Sequence, residues 1–184
     1  GAYLVEVLRQ IERRVGASDA LGAHDIKKAA RERVFGFELI PAPYVVAHLQ
    51  LGPHLQGLGA PLGESERASV YLINALTGWE PPKGPKQTLT FPEMQEEREA
   101  AAEVKQHKPI LVILGNPPYN GYAGMAIGEE RELSDAYRTT ERAPAPQGQG
   151  LNDLFVRFFR MAERRIVEKS GRGIVCLISN YSWL

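Results

Sequence analysis

Four consecutive residues carry the densest chemistry in this sequence: Asn116, Pro117, Pro118 and Tyr119. The asparagine amide has an oxygen that accepts hydrogen bonds and an NH2 group that donates them. The prolines lack a backbone N–H and have a fixed φ. Their carbonyls can therefore be held outward with no competing donor beside them. Tyr119 adds a flat aromatic face. Two acceptors beside a stacking surface suit a planar amine. The same residues also suit a tight proline turn with Tyr119 packed on a core, and residue types alone leave both readings open. Glu38, an acid inside the apolar run 35–40, and Asn74, at the end of the apolar run 70–73, are further candidates.

The elements that must position these residues follow from periodicity. Residues 110–114 are apolar and β-branched at three positions, which predicts a strand with both faces buried in a parallel sheet. Asn116 to Tyr119 follow it at once, and the carboxyl ends of parallel strands are where ligands bind in open α/β sheets. Residues 35–38 and 70–73 predict two further strands, and 173–178 a fourth, buried one, with Cys176 buried and inert inside it. Leu4, Leu8, Ile11 and Val15 recur at helical spacing, and Gly16 stops that helix. A short helix is predicted from Asp25 to Arg33, capped near Asp25. Another starts at Pro41 and Pro43 and runs to Leu51, with 52–66 as Gly/Pro-broken loop. Residues 79–86 read as a turn or open loop, and 93–106 as a mostly solvated helix.

Leu151, Leu154, Phe155, Phe158, Phe159, Ala162 and Ile166 form the apolar face of a helix over 151–167. Its phenylalanines read as core, and Arg157, Arg160, Arg164 and Arg165 as its solvated face or, alternatively, as phosphate contacts. Between 121 and 150 the glycines and the Ala-Pro-Ala-Pro run at 143–146 predict a long irregular connection. It is expected to border the cleft and to be partly disordered. Strands alternating with helices imply βαβ units and an open, mostly parallel α/β sheet.

Composition narrows the function classes. Lys plus Arg and Asp plus Glu number 22 each in the 184 residues, so the formal net charge is zero and a strongly basic nucleic-acid coat is excluded. The single cysteine excludes an internal disulfide, no Cys/His cluster has zinc-ligand spacing, and no metal is assigned. No apolar run approaches the roughly 18 residues of a membrane span. A cytoplasmic protein is expected. Helix and strand begin and end abruptly at the two termini, so a fragment of a larger protein is expected, with its sheet incomplete at both ends.

Asn116-Pro117-Pro118-Tyr119 after an apolar strand resembles motif IV of amino-methyltransferases that use S-adenosylmethionine, among them the γ-class DNA adenine-N6 methyltransferases. Gly1-Ala2-Tyr3-Leu4 resembles the tail of their motif I, and residues 35–38 their motif II. Residues 70–76 resemble motif III, with Asn74 where an aspartate is usual. Asn152 to Phe158 and then 173–184 resemble the segment after motif IV. Gly36-Phe37-Glu38-Leu39, Ala42-Pro43-Tyr44 and Ala47-His48-Leu49 resemble large single-chain restriction–modification proteins, in which a methyltransferase is fused to helicase and nuclease parts. The motif order spans nearly the whole chain, 1–184, as one partial catalytic domain.

This resemblance implies a Rossmann-like methyltransferase fold and S-adenosylmethionine as cofactor. Glu38 would accept from ribose hydroxyls. Gly1 would let the backbone approach the methionine part, with Tyr3 as pocket wall or core, and Ala2, Leu39, Asn74 and Asn116 complete the expected cofactor set. Asn116 and the Pro117 carbonyl would accept from the exocyclic amine of a target base, and Tyr119 would stack on it after the base flips out of duplex DNA. Pro118 completes the catalytic motif. The expected partners are double-stranded DNA and attached helicase, nuclease and target-recognition domains. Methylation of a protein glutamine or of cytosine N4 shares the same acceptor chemistry. A non-catalytic fragment keeping the fold is the reading from a different class.

Overall fold

The computed structural model describes residues 1–16, 19–81, 89, 91–119, 128–139, 141–142, 144 and 150–179. The chain divides into two compact units, Gly1–Ala75 with Pro82–Gln106 and Leu76–Pro81 with His107–Leu184.

In the first unit the order is α1 (Ala2–Val15), α2 (Ala20–Glu32), β1 (Gly36–Glu38), α3 (Pro41–Gly57), β2 (Val70–Leu72) and α4 (Pro92–His107). Gly16 ends α1 at φ 72°, a conformation that L side chains rarely adopt. The second helix begins earlier than the sequence predicts. Asp19, in extended backbone, accepts from the Gly22 N–H at 2.7 Å and so caps α2 six residues upstream of Asp25. Helix α3 also runs further than predicted, through Gly52 and Pro53 to Gly57. Leu51 and Leu55 are buried on it, and their packing offsets the hydrogen bond that Pro53 forfeits.

Strands β1 and β2 pair in parallel, Gly36 with Val70, Phe37 with Tyr71 and Glu38 with Leu72. Successive side chains leave a strand on opposite faces, and this decides the layers. Val70 joins Leu8, Ile26, Ala47, Leu51 and Leu55 from α1, α2 and α3. Tyr71 and Phe37 instead pack with Ala101 and Val104 of α4. Helix α4 is exposed along most of its length, as the sequence predicts, and buries Ala101, Val104 and Lys105 along one face.

In the second unit, β3 (Val112–Gly115) is followed by a helix α5 (Glu129–Asp135), a 3-10 turn (Gly150–Asn152), α6 (Leu154–Glu163), a π-helical stretch (Arg164–Ser170) and β4 (Ile174–Leu177). Helix α5 falls inside the segment predicted as irregular. The rest of that connection lies largely outside the described residues, as do residues 82–88 and 180–184. The predicted helix over 151–167 is thus three pieces, α, 3-10 and π.

Strands β3 and β4 pair in parallel, Val112 with Ile174 through Gly115 with Leu177. Ile113 packs under Leu133 of α5 and Met161 of α6. Leu111, Val112, Leu114 and Ile174 remain exposed, and so does Cys176. The expectation of strands buried on both faces, with a buried cysteine, is therefore corrected. Double-sided burial needs helices on both faces. Among the described residues, β3 pairs with β4 alone and its contact cluster draws on α5 and α6. The architecture is α/β with short parallel sheets. Among the described residues, no helix is long and apolar enough to cross a membrane.

Candidate active site

Asn116 to Tyr119 leave the carboxyl end of β3, as the sequence predicts. At that end the two parallel strands stay in contact beyond the ladder, with the Ile178 N–H donating to the Gly115 carbonyl at 2.9 Å. Pro117 is buried, while Asn116, Pro118 and Tyr119 are exposed. Burying Pro117 fixes the turn from below and leaves the amide and the ring at the surface. The Tyr119 hydroxyl lies 3.0 Å from Asn116 Oδ1 and 2.8 Å from the Ile178 carbonyl oxygen. The ring tilts against Phe155, with centroids 6.4 Å apart, and Phe155 meets Phe159 edge to face. Tyr119 is thus neither a core residue nor a free platform: one edge rests on α6 and 47% of the residue stays open.

The first unit gathers the other expected ligands. Because β1 and β2 are parallel with Glu38 opposite Leu72, Glu38 and Asn74 follow neighbouring carboxyl ends. Glu38 Oε1 accepts from the Ile40 N–H at 3.0 Å, which ties it to the start of α3. A carboxylate has a second oxygen and several lone pairs left for a ligand. Leu39 beside it is 67% exposed. The Asn74 carbonyl accepts from Lys105 Nζ at 2.6 Å, and that ammonium also sits 4.6 Å from the centre of the Phe37 ring. Gly1, Ala2 and Tyr3 are exposed at the start of α1. A side chain at Gly1 would run into Gln50 and come within 3.2 Å of the Ala47 backbone, so this glycine permits the close approach of α1 to α3. Glu38 and Asn74 belong to the first unit, Asn116 to Tyr119 to the second.

Two polar clusters were invisible to sequence reasoning. Glu97 of α4 accepts from Arg67, from the Tyr44 hydroxyl at 3.1 Å and from the Leu72 N–H at 3.0 Å. Burial opposes its ionisation, but the hydrogen bonds and the Arg67 charge outweigh that and hold its carboxyl below the usual range. Burial likewise lowers the pKa of His48, which packs edge-on against Tyr44. In the second unit, Arg157 is buried rather than solvated. It donates to Ser134 Oγ and to Glu130 Oε2, each at 3.0 Å, and so fastens α6 to α5. Arg165 is buried too, donating to the Lys108 carbonyl at 2.7 Å with its guanidinium 5.2 Å from the Trp79 ring centre. Lys105, Glu97 and Arg157 sit in charged helical sequence where periodicity alone reads them as surface. Glu97 and Lys105 share a helix face with Ala101 and Val104, which is their only signal, and Arg157 lies on the face read as solvated and has none. Among the described residues no group of His, Cys, Asp and Glu is placed to hold a metal.

No protein-family profile matches the chain, and no curated protein sequence does either. Solved structures do. The chain is similar to an ATP-dependent Type ISP restriction–modification enzyme, LlaBIII, bound to DNA, with a TM-score of 0.70 at 19% identity. It is also similar to a DrdV–DNA complex seen by cryo-electron microscopy, with a TM-score of 0.65 at 22% identity. The matches cover 100% and 98% of this chain but only 12% and 16% of those chains. At such identities the likeness is one of fold. The fold found here is therefore one also present in a small part of a Type ISP restriction–modification enzyme and of a chain in the DrdV–DNA complex.

Proposed function

We propose that this chain is the methyltransferase part of a restriction–modification protein and transfers a methyl group from S-adenosylmethionine to the exocyclic N6 of adenine in DNA. One observation carries the reading: Asn116-Pro117-Pro118-Tyr119 stand at the carboxyl end of a parallel strand, with the amide and ring exposed. The fold's occurrence in a DNA-bound restriction–modification enzyme and in a second DNA complex supports the substrate class.

The donor set at the ends of β1 and β2 fits the cofactor. Glu38 supplies a carboxylate oxygen for ribose hydroxyls, Leu39 an exposed apolar contact, and Asn74 a polar group held in place from beneath by Lys105. Gly1, Ala2 and Tyr3 are the residues for the methionine end. When bound, S-adenosylmethionine supplies an electrophilic methyl carbon.

The chain's own residues then act on the target base. Tyr119 stacks on a base extruded from the duplex. Asn116 Oδ1 and the Pro117 carbonyl accept the two protons of its exocyclic amine. Holding both protons in the ring plane would leave the nitrogen lone pair out of that plane, free for an electrophilic methyl carbon; as the N–C bond formed the methyl–sulfur bond would break, and the nitrogen would then release one proton to water. No covalent bond to the enzyme is required. The acceleration comes from positioning and from fixed dipoles that strengthen as the nitrogen becomes tetrahedral. Transfer of labelled methyl groups from S-adenosylmethionine to duplex DNA, followed by nucleoside analysis, tests this. Labelled N6-methyladenine is the expected product. Label on cytosine N4 or on a protein glutamine would keep the site and overturn the substrate.

A further inference from the structure

The Tyr119 hydroxyl faces two oxygens and has one proton. It lies 2.8 Å from the Ile178 carbonyl and 3.0 Å from the Asn116 amide oxygen as placed. A phenol donates one hydrogen bond and accepts others. The proton therefore goes to one oxygen, and the other contact must be re-satisfied or stay repulsive. A backbone carbonyl cannot turn. An asparagine amide can, because its two ends are nearly the same size and the placement of its oxygen and nitrogen follows the hydrogen-bond network. With the proton on the shorter contact, to Ile178, the tyrosine oxygen presents lone pairs to Asn116. The amide then lowers its energy by turning its NH2 toward them, which leaves Oδ1 on the opposite side. In the reverse arrangement Oδ1 is engaged by the hydroxyl and the NH2 faces outward, where it repels an amine.

The geometry points to the Tyr119 hydroxyl as a positioning group. Anchored on the Ile178 carbonyl at the end of β4, it turns the Asn116 amide so that its oxygen meets the target amine. The hydroxyl thereby decides whether the site accepts a donor or an acceptor, a role separate from stacking by the ring. This inference rests on the methyltransferase reading above. It also gives β4 a task at the site: its exit carbonyl orders the side chain on β3.

A double-mutant cycle tests it in the natural full-length protein that carries this chain, using Tyr119→Phe, Asn116→Ala and the pair. Tyr119→Phe keeps the ring. Its stacking, read by 2-aminopurine fluorescence at the target position, and its KM for DNA should stay as in the wild type. Its single-turnover transfer rate should fall about tenfold, as expected for one well-placed hydrogen bond. In the Asn116→Ala background the same substitution should cost nothing further, because the group it orients is gone. A Tyr119→Phe rate equal to wild type overturns the inference, and so does an equal loss in both backgrounds. A wild-type protein that methylates no duplex overturns the methyltransferase reading itself, and this inference with it.

Discussion

At the scale of single residues, the proposed chemistry divides between two sets of side chains that respond to different measurements. Asn116→Ala removes an acceptor that gains most as the amine becomes tetrahedral. The loss belongs in the chemical step, at roughly 10²–10³ in rate by analogy with removal of a preorganised hydrogen-bonding group. Cofactor binding should change little. Single-turnover methyl transfer against calorimetric titration separates the two, and a near-normal transfer rate would remove Asn116 from the catalytic set. Glu38 belongs to the binding side. Glu38→Ala should weaken S-adenosylmethionine binding by about 10- to 100-fold, the equivalent of a charged hydrogen bond worth about 1.5–3 kcal/mol. Because Glu38 also accepts from the Ile40 N–H, Glu38→Gln is the informative companion. An amide oxygen keeps the link to α3 while lacking the charge, so the glutamine variant should fold as the wild type and still bind the cofactor less tightly.

At the scale of elements, buried polar links add to apolar packing in fastening the helices. Arg157 ties α6 to α5 through Glu130 and Ser134. Arg157→Met should destabilise the protein by roughly 3 kcal/mol, the lower end for breaking a buried ion pair, since Glu130 keeps some access to water. Chemical denaturation checks this. Gly173, at φ 155°, admits β4 beside β3: a side chain there would collide with the Leu111 carbonyl and come within 2.8 Å of Ile166. Gly173→Ala should cost about 2 kcal/mol from strained backbone alone, read from the same transition. The α3–β2–α4 cluster adds a pH dependence. Glu97 and His48 both have folded pKa values below their ordinary ones. Each therefore contributes stability that is complete above its unfolded pKa and lost as pH falls through the folded one. Melting temperatures should drop on acidification, first as imidazole titrates below about 6.5 and again as carboxylates do below about 4.3. A flat profile from pH 7 to 5 would deny the His48 link, and a flat profile from pH 5 to 2 the Glu97 link.

At the scale of the whole molecule, charge decides what this chain can do alone. Its 22 basic and 22 acidic residues balance. Many of its cations are engaged internally: Arg67 with Glu97, Arg31 and Lys27 with Glu66, Arg157 with Glu130, and Arg160 and Arg164 with Glu168. Each of those pairs removes a cation that could otherwise displace counterions from a duplex. The isolated 184-residue chain should bind DNA only in the non-specific range, with Kd about 10⁻⁴–10⁻⁶ M at physiological salt. Fluorescence anisotropy over a salt series measures this. Nanomolar, sequence-selective binding by this chain alone would place target recognition within it. That would contradict the proposal that recognition belongs to further parts of a restriction–modification protein.

What the sequence by itself determined was local. Helix α1 and its stop at Gly16, the short strands ending at Glu38 and before Asn74, and the exit of a strand into Asn116-Pro117-Pro118-Tyr119 were legible because each rests on neighbours within a few residues. Periodicity, glycine and proline act at that range. The tertiary structure decided what depends on distant partners. Asp19 rather than Asp25 caps α2, because a cap is set by backbone geometry at the helix start. Pro53 stays inside α3 because Leu51 and Leu55 are buried against other helices. Lys105 and Arg157 lie inside, and Cys176 and Leu114 outside, because burial depends on which layers reach each face. The hydroxyl of Tyr119 finds Ile178, 59 residues away, because β3 and β4 run parallel. No local pattern records that pairing, since parallel strands meet only after a long crossover.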